Sequence, residues 1–590
     1  MNENLSDEIY KEQLCDGSFI LKRKVEKTCS KQFFYDKFPI IKWLPKYKII
    51  SDGTMDFVAG LTVGLTAIPQ GIAYGVVARL GPEYGLYAAF MGCFVYIFFG
   101  TSKDITVGPT AIMALMVAKY VESSPDFAVL LCFLTGIIVF LCGIFNLGFL
   151  VQFISVPVTT GFTTAAAITI GSGQINSLFG LASPSNEFIA SWENFFLNIT
   201  KVSLYDSLLG VGTLIALLIL RKFKDLKGRL RGVYKYISLS RNALAVFVGI
   251  LVAYLLTTDD FKPFRLTGSI KPGLPVPKIP PFTTTINGTT LTFPEVLREL
   301  SSSVVIIPLI AILESIAIAK AFAKGKIIDA SQEMIALGLC NFASSFFHSM
   351  PITGSFTRTA VNNASGVRTP LGGAVTGTLI LLALALLTQT FYYIPKASLA
   401  AIIIAAMIHM VDVEVISEIW RAKKIDCIPF VVTMISCLFF SLDYGMIIGI
   451  GVNMFLILFK SARPVLKISK DKILDEECLV IVISENLLYA SGEYVKSQIV
   501  KAVIQNKCKY VILNGEGVNF IDSTAAMNLV SAREDLKELN CGLIFWNWKI
   551  ETAGVLYRFK KEIEPSIRCG KTAASVIDGI YNEKTEQITV

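Results

Sequence analysis

Apolar residues occur in long runs over the first three quarters of the chain, and short polar loops separate these runs. Fourteen apolar segments, some of them short, extend to residue 461. A helix that crosses a bilayer needs about 20 predominantly apolar residues. The pattern therefore predicts an α-helical polytopic membrane protein with fourteen transmembrane segments, at 57–78, 84–100, 108–121, 127–148, 152–173, 204–221, 241–257, 300–322, 332–347, 354–365, 371–391, 394–411, 426–442 and 444–461.

The pattern changes near the C-terminus. Short strand-like runs alternate there with helical stretches, at 478–484, 491–506, 509–514, 523–539 and 541–547. Such alternation is typical of an α/β domain with a mainly parallel sheet. We therefore predict a cytoplasmic N-terminal segment, a transmembrane domain and a cytoplasmic α/β domain, at 1–50, 51–465 and 466–590.

The charges between the apolar segments predict the orientation of the chain. Residues 1–50 are polar and show no signal peptide, so we expect the N-terminus in the cytoplasm. The loop 221–241 then lies inside and holds eight Lys/Arg against one acidic residue, Asp225, in agreement with the positive-inside rule. Two N-x-T sequons, at Asn198 and Asn287, fall on the outer side, where glycosylation is expected.

Composition argues against other classes of protein. The chain has 590 residues, of which 53% are hydrophobic and 17% charged, and its mean hydropathy is +0.59. The net charge of +8 comes from short loops between apolar runs, so no nucleic-acid partner is expected. None of the 12 cysteines falls in a predicted external loop, and His348 and His409 are the two histidines. We therefore expect no structural disulfide, no metal site, no cofactor and no enzyme activity.

Two stretches are interpreted as half-helices that begin inside the membrane. Ile105–Val117 starts with strand-like residues and continues through Gly108 and Pro109 into a helical run too short to cross a bilayer. Pro109 fits the first turn of a helix, where its missing N–H is not needed. The pattern recurs weakly at Pro351–Val361. Paired interrupted segments indicate a transport site, and facing helix N-termini favour an anion; the alternative is two ordinary kinked helices.

Several motifs resemble those of the sulfate permease family, also called solute carrier family 26. They are AIPQGIAYG at Ala67–Gly75, GPEYGLY at Gly81–Tyr87, QEMIALGLCN at Gln332–Asn341 and SLDYG at Ser441–Gly445. The C-terminal part resembles the STAS domain of that family, with FIDSTA at Phe520–Ala525 in its strand-to-helix loop. The resemblance implies a 7+7 inverted repeat, divided into core and gate bundles, a homodimer and alternating access.

The resemblance also implies an anion pocket at the half-helix openings. The pocket residues that it implies are Gln70, Tyr74, Thr110, Ala111, Phe356, Thr357 and Arg358. Most anion contacts there should come from backbone N–H groups. For Gln70 and Tyr74, which share one helix face, the alternative is a hydrogen bond between helices.

Two charged residues lie inside predicted membrane segments. Arg358 costs about 2.5–3.5 kcal/mol at the bilayer centre on insertion scales, so it needs a partner or a water-filled cavity. We expect it to supply the positive charge of the pocket, or alternatively to pair with Glu314. Burial favours the neutral form of Glu314 and a nearby Arg358 its charged form, which makes this carboxyl a candidate for the coupled proton; the alternative is a structural acid.

The combined features predict a secondary active transporter of sulfate and related anions that is coupled to protons. Glu314, in LESIAIAKAFA, makes the chain resemble the sodium-independent sulfate transporters of animals and those of plants. Alternatives are an electroneutral exchanger of sulfate, chloride, bicarbonate or oxalate, an anion channel on the same fold, and a membrane-tethered STAS regulator. Expected partners are inorganic anions, protons, the lipid bilayer and a second copy of the chain. We expect the plasma membrane, or alternatively the lysosomal membrane.

Overall fold

The structure, a computed structural model, describes residues 37–568 except 122–123, 150–153, 182–186, 224–230, 258–261, 269–272, 287–288, 324–327, 412, 441 and 474–475. The sequon residue Asn287, Asp225 and most of the predicted N-terminal segment therefore lie outside the described residues. The chain divides into two compact units, with the boundary between Gly451 and Val452. The domain boundaries given above stay predictions.

Each of the fourteen predicted apolar segments contains one main helix. In chain order these helices are α1 (Ser51–Val77), α2 (Pro82–Phe99), α3 (Ala111–Val121), α4 (Asp126–Ile144), α5 (Val156–Gly173), α6 (Leu204–Lys222), α7 (Arg241–Leu256), α8 (Ser303–Phe322), α9 (Ala330–Ser345), α10 (Phe356–Ser365), α11 (Gly372–Leu386), α12 (Lys396–Ile408), α13 (Cys427–Phe439) and α14 (Leu442–Ala462).

The number of complete membrane crossings is a separate question from the number of helices. Within the described residues, seven helical stretches are long and apolar enough to cross a membrane, and an eighth is a pair bent by 70° between Leu239 and Arg241. Helices such as α3 and α10 are shorter than a bilayer is thick. The α-helical polytopic fold is thus confirmed, whereas the count of fourteen spans stays a prediction.

Short elements connect these helices. The short α-helices are Ile40–Trp43, Ile175–Leu178, Phe188–Leu197, Arg231–Leu239, Phe293–Leu300, Thr388–Phe391 and Val413–Ala422. A small antiparallel hairpin of β2 (Thr284–Ile286) and β3 (Thr289–Leu291) lies in the predicted outer loop.

Two strands of two residues each, one from each half of the helical unit, pair with each other. Strand β1 (Val107–Gly108) pairs antiparallel with β4 (Thr353–Gly354), and all four residues are buried. Helix α3 begins three residues after β1, and α10 begins two residues after β4. The third and tenth of the fourteen helices therefore begin at one strand pair and leave it from opposite ends. The two half-helices predicted from the sequence are present.

The start of α3 differs in one detail from the prediction. The hydroxyl of Thr110 accepts a hydrogen bond from the Met113 amide at 3.3 Å, and the Thr110 carbonyl accepts one from the Ala114 amide at 3.0 Å. Thr110 is therefore the N-cap residue, and Pro109 precedes the cap and is not part of the first turn. The reason is that a threonine side chain satisfies a free amide at this position and a proline side chain does not.

Buried polar side chains of α9 fix the extended segments that contain the two strands. The amide group of Asn341 donates to the Ile352 carbonyl at 2.8 Å, and its oxygen accepts from the Ile352 amide at 2.8 Å. The Glu333 carboxylate accepts hydrogen bonds from the Tyr96 hydroxyl and from the Thr101 amide and hydroxyl. Both α9 residues are almost fully buried. They belong to the QEMIALGLCN motif, so this motif positions backbone near β1 and β4.

Helices α4 and α9 approach each other through glycine on both sides. A Cβ added to Gly136 would lie 2.5 Å from the amide nitrogen of Phe342, and one added to Gly338 would lie 2.5 Å from that of Phe140. Backbones can come this close where a small residue lies at the contact, which is a common form of helix packing in membranes. Helix α9 is thereby held against α4 as well as against the strand segments.

The C-terminal unit contains a five-stranded sheet of β5 (Leu466–Ile473), β6 (Glu476–Ile483), β7 (Tyr510–Asn514), β8 (Gly542–Trp546) and β9 (Ile567–Arg568). Among the described strands of this sheet, β5 and β6 pair antiparallel and the other three pairs are parallel. Helices α15 (Tyr489–Asn506), α16 (Ser523–Glu538) and α17 (Ile550–Phe559) complete the α/β domain, and the predicted mainly parallel sheet is confirmed. The carboxylate of Asp522 caps α16 by accepting from the Ala525 amide at 2.8 Å.

Replacing Asn341 with Ala is expected to destabilise the helical unit that ends at Gly451. The substitution leaves the buried N–H and C=O of Ile352 without their partner, and each unsatisfied group costs about 1–3 kcal/mol. We expect a clearly lower melting temperature of the full-length protein in detergent. Asn506→Ala is the matched control, because the Asn506 side chain donates to the Ala502 carbonyl in its own helix at 2.7 Å. Equal melting temperatures for the two variants would contradict the anchoring role.

Candidate functional site

Arg358 extends from the first turn of α10 across the strand pair to the segment that precedes α3. Its side chain is buried, with 1% exposed, and Nη2 donates to the Pro109 carbonyl at 2.8 Å. A Cβ added to Gly108 would lie 3.0 Å from Nη2, so glycine leaves room for the guanidinium. The Nε and Nη1 groups are buried and have no hydrogen-bond partner in the described chain. Arg358 thus presents unused donors beside the strand pair.

Glu314, on α8, lies at the same place but does not pair with Arg358. Within the described residues, no carboxylate oxygen lies within 4 Å of the Arg358 guanidinium, although the two charges interact electrostatically. The side chain of Glu314 is half-buried. Its Oε2 accepts a hydrogen bond from the Thr110 hydroxyl at 3.4 Å. The ion pair considered as an alternative role for Arg358 is therefore not formed in this conformation.

Helix α8 is tied to the strand pair through its backbone. The Thr353 hydroxyl donates to the Ala311 carbonyl at 2.7 Å, one turn before Glu314. A Cβ added to Gly354 would lie 3.3 Å from the Cα of Ser315. Helix α8 therefore packs directly on β4, which fixes the position of Glu314 relative to the openings of α3 and α10.

The first turns of α3 and α10 expose backbone donors. In α3 the Thr110 hydroxyl occupies the Met113 amide, and in α10 the Ser355 hydroxyl accepts from the Arg358 amide at 3.5 Å. The amides of the first two residues of each helix have no acceptor among the described residues. They are those of Ala111 and Ile112 in α3 and of Phe356 and Thr357 in α10. Free amides at a helix N-terminus, together with the positive end of the helix dipole, form a binding site for an anion.

Two buried polar side chains near these elements also lack partners. The Gln70 side chain, on α1, is 2% exposed, and its Oε1 has no hydrogen-bond partner in the described chain. The Ser315 hydroxyl, on α8, is equally buried and unpaired among the described residues. Ser315 was not predicted from the sequence. Its position next to Glu314 is a weak signal, because serine is a common packing residue in membrane helices.

The predicted pocket residues do not all lie in equivalent surroundings. Tyr74 is buried and interacts electrostatically with both Arg358 and Glu314. Thr110 and Ala111 are buried at the opening of α3, and Thr357 is half-buried at the opening of α10. The Phe356 ring is 57% exposed and packs against Phe322 with ring centroids 5.4 Å apart. Phe356 therefore contributes its backbone to the opening of α10, whereas its side chain packs elsewhere.

Comparison with known proteins shows to which family the chain belongs. The profile of the Sulfate permease family matches residues 54–433, and that of the STAS domain matches residues 469–575. The chain belongs to the sulfate permease family. The first match covers the strand pair and every predicted pocket residue, and the second covers α15–α17.

Two curated proteins similar to this chain have names that describe sulfate transport. The Sodium-independent sulfate anion transporter of Bos taurus is 40% identical over 532 residues, which cover 88% of this chain and 87% of that protein. Sulfate permease 1 of Saccharomyces cerevisiae is 34% identical, with 75% of this chain and 55% of the yeast protein covered. The chain thus spans little more than half of that longer permease.

The fold is also that of a solved solute carrier family 26 structure. The murine family member A9 anion transporter in the inward-facing state gives a TM-score of 0.83 at 19% identity, over 93% of this chain and 96% of that chain. The similarity shows the shared fold. As a member of the sulfate permease family the protein is a multi-pass membrane transporter of sulfate or related anions and not an enzyme.

Arg358→Ala is expected to weaken sulfate binding strongly while the protein stays folded. Charge-assisted hydrogen bonds contribute about 1.5–3 kcal/mol each, so the affinity should fall by about 10- to 100-fold. Arg368→Ala, which removes an exposed arginine near the end of α10, is the matched control. Binding of labelled sulfate and the melting temperature should be measured together. An affinity within twofold of wild type in a folded Arg358→Ala variant would contradict this assignment.

Proposed function

We propose that the protein is a proton-coupled sulfate transporter, with the anion bound between the openings of α3 and α10. The observation that carries the proposal is that Arg358 and Glu314 meet at one strand pair, where among the described residues Arg358 has unpaired donors and Glu314 has no ion-pair partner. The names of the bovine and yeast relatives, which describe sulfate transport, support sulfate as the substrate. The pocket residues in this proposal are Gln70, Tyr74, Thr110, Ala111, Phe356, Thr357 and Arg358.

The proposed binding chemistry follows from the number of donors. Sulfate is a tetrahedral dianion with four acceptor oxygens. The four free first-turn amides and the unpaired Nε and Nη1 of Arg358 can donate to several of these oxygens at once. A charged Glu314 in this place would repel a dianion, because like charges at short range in a low-dielectric site interact strongly. Protonation of Glu314 removes that repulsion.

The coupling therefore has a definite direction. When the pH falls on the side to which the site is open, Glu314 takes up a proton and sulfate binds more tightly. By linkage, bound sulfate raises the affinity of Glu314 for a proton to the same extent. Proton and sulfate then move together through an alternating-access cycle. An electroneutral exchanger or an anion channel would lack this mutual dependence.

The assembly and location of the protein are part of the same proposal. We propose a homodimer in the plasma membrane or the lysosomal membrane. Helices α6 and α14 are both apolar and little buried within one chain, which fits helices that face lipid or a second copy. The direct test of function is uptake of labelled sulfate into proteoliposomes with and without an inward proton gradient. A large uncoupled chloride current instead would support the channel.

Of the two predicted glycosylation sites, Asn198 lies within the described residues. It lies directly after the short helix Phe188–Leu197, and its side chain contacts the Asn194 carbonyl and Lys201 at 3.0 and 3.2 Å. We expect Asn198→Gln, expressed in an animal cell line, to migrate faster on a gel than wild type, and glycosidase treatment of both proteins to abolish that difference. Unchanged migration would place Asn198 on the cytoplasmic side or leave it unmodified.

Glu314→Gln tests the coupled proton. Gln has nearly the same size as Glu and resembles the protonated acid, but it cannot release a proton. We expect the variant to bind sulfate and to retain sulfate–sulfate exchange, which needs no net proton movement. Accumulation driven by an inward proton gradient should be lost. The two modes should be measured in the same proteoliposome preparation.

The outcome separates coupling from structure. If Glu314 is a purely structural acid, both transport modes fall together and the melting temperature decreases. If the variant accumulates sulfate with unchanged dependence on the pH gradient, Glu314 is not the coupled group, and the exchanger becomes the better description. A double-mutant cycle with Arg358→Lys would then show whether the two charges interact at another step.

A further inference from the structure

The Thr110 hydroxyl is shared between two groups with different roles. It donates its proton to Oε2 of Glu314 at 3.4 Å and accepts a hydrogen bond from the Met113 amide at 3.3 Å. Both distances are at the long end of the hydrogen-bond range, so neither bond is strong. The carbonyl of the preceding residue, Pro109, accepts from Arg358. Thr110 is therefore the point where the N-cap of α3, the acid and the cation meet.

The hydrogen-bonding capacity of a hydroxyl limits what Thr110 can do at one time. Threonine has one O–H donor and two acceptor lone pairs. While Glu314 is charged, it offers acceptors alone, so the Thr110 proton is directed at it. When Glu314 is protonated, its own O–H can donate to Thr110, whose second lone pair is free. The Thr110 hydroxyl then no longer donates its hydrogen bond to the carboxyl, so it can donate to another acceptor. It still accepts the hydrogen bond from the Met113 amide.

We infer that Thr110 is a protonation-controlled hydrogen-bond donor for the transported anion. A proton on Glu314 reverses the hydrogen bond between the two side chains and directs the Thr110 hydroxyl to sulfate. The inference rests on the proposed role of Glu314. It adds to charge relief a second reason for coupling: protonation removes a repulsive charge and at the same time supplies a donor. The one covalent change is the O–H bond that forms when Glu314 takes up a proton from the solution; the Thr110 hydroxyl keeps its own proton and changes only its hydrogen-bond partner.

The other groups around Glu314 do not perform this exchange. Arg358 faces it from α10 and Tyr74 from α1, and both interact with it electrostatically. The Arg358 guanidinium has no acceptor lone pair, so it cannot receive a hydrogen bond from a protonated carboxyl. The structure shows no hydrogen bond between the Tyr74 hydroxyl and Glu314, both of which it describes. Thr110 is the side chain that hydrogen-bonds to Glu314 among the described residues.

The test compares Thr110→Val, which keeps the branched shape but removes the hydroxyl, with Thr110→Ser, which keeps the hydroxyl. Binding of labelled sulfate to the full-length protein is measured at acidic, neutral and alkaline pH. At acidic pH, where Glu314 is protonated, Thr110→Val should bind sulfate about tenfold more weakly than wild type. At alkaline pH, where the Thr110 hydroxyl donates to Glu314, Thr110→Val loses only the cap on the Met113 amide, so the difference in sulfate affinity should be much smaller than at acidic pH. Thr110→Ser should restore the wild-type profile.

Ser355→Ala separates donation from capping. Ser355 caps α10 as Thr110 caps α3, since it accepts from the Arg358 amide, but no hydrogen bond joins it to Glu314. Loss of a cap should change affinity or stability to the same extent at every pH. If Thr110→Val also lowers sulfate affinity equally at every pH, Thr110 is a capping residue and the inference is wrong. The inference is equally wrong if Thr110→Val has no effect at any pH.

A further variant distinguishes this inference from the proposal on which it rests. Glu314→Gln mimics the protonated acid, so its sulfate affinity should be independent of pH. Adding Thr110→Val to it should then weaken binding about tenfold at every pH. If Glu314→Gln keeps the wild-type pH dependence, the coupling role of Glu314 fails. If it loses that dependence but Thr110→Val has no effect in this background, the Thr110 inference alone fails.

Discussion

An antiparallel pair of two-residue strands is the constraint on which the transport site depends. Val107 lies opposite Gly354 and Gly108 opposite Thr353, and each strand leads into a helix that starts in the protein interior. Without this pairing, the backbone of both segments would be buried without partners, which is costly in a membrane. The buried residues of α9 serve the same purpose. Asn341 satisfies backbone groups of the residue before β4, and Glu333 satisfies a backbone amide in the segment before β1.

The same constraint explains why a charged side chain is tolerated at this position. Arg358 crosses the strand pair over Gly108 and donates to the carbonyl of Pro109, which precedes α3. One of its terminal nitrogens is thereby satisfied, while Nε and Nη1 remain available. A fully paired arginine would be stable but unable to bind an anion, whereas an arginine with no contacts would be hard to keep folded in a bilayer. The partly bonded arginine that the structure shows suits a site that must also release its ligand.

Much of this organisation could be predicted from the sequence, and the exceptions have physical reasons. Apolar runs of helical length located all fourteen main helices, and interruptions by Gly108, Pro109 and Gly354 identified the half-helices. Strand β5 was not predicted, since its alternation of charged residues lacks an apolar run. The hydrogen bonds of Asn341 to Ile352 and of Thr110 to Glu314 were not predicted, because a hydrogen bond to a residue distant in sequence leaves no periodic pattern. The exposed side chain of Phe356 shows the same limit, as its packing partner lies on another helix.

The geometry of the strand pair has a consequence for the direction of transport. Because the strands are antiparallel, helices of similar length, eleven and ten residues, leave the site from opposite ends. The positive dipole ends of both helices face the strands, so both helices attract an anion bound there. Because the helices leave the strands from opposite ends, their dipole fields along the line that joins them oppose each other. An anion that leaves towards either membrane face therefore works against nearly the same field. The two helix dipoles by themselves therefore favour neither direction, and the direction of transport depends on the concentration differences across the membrane.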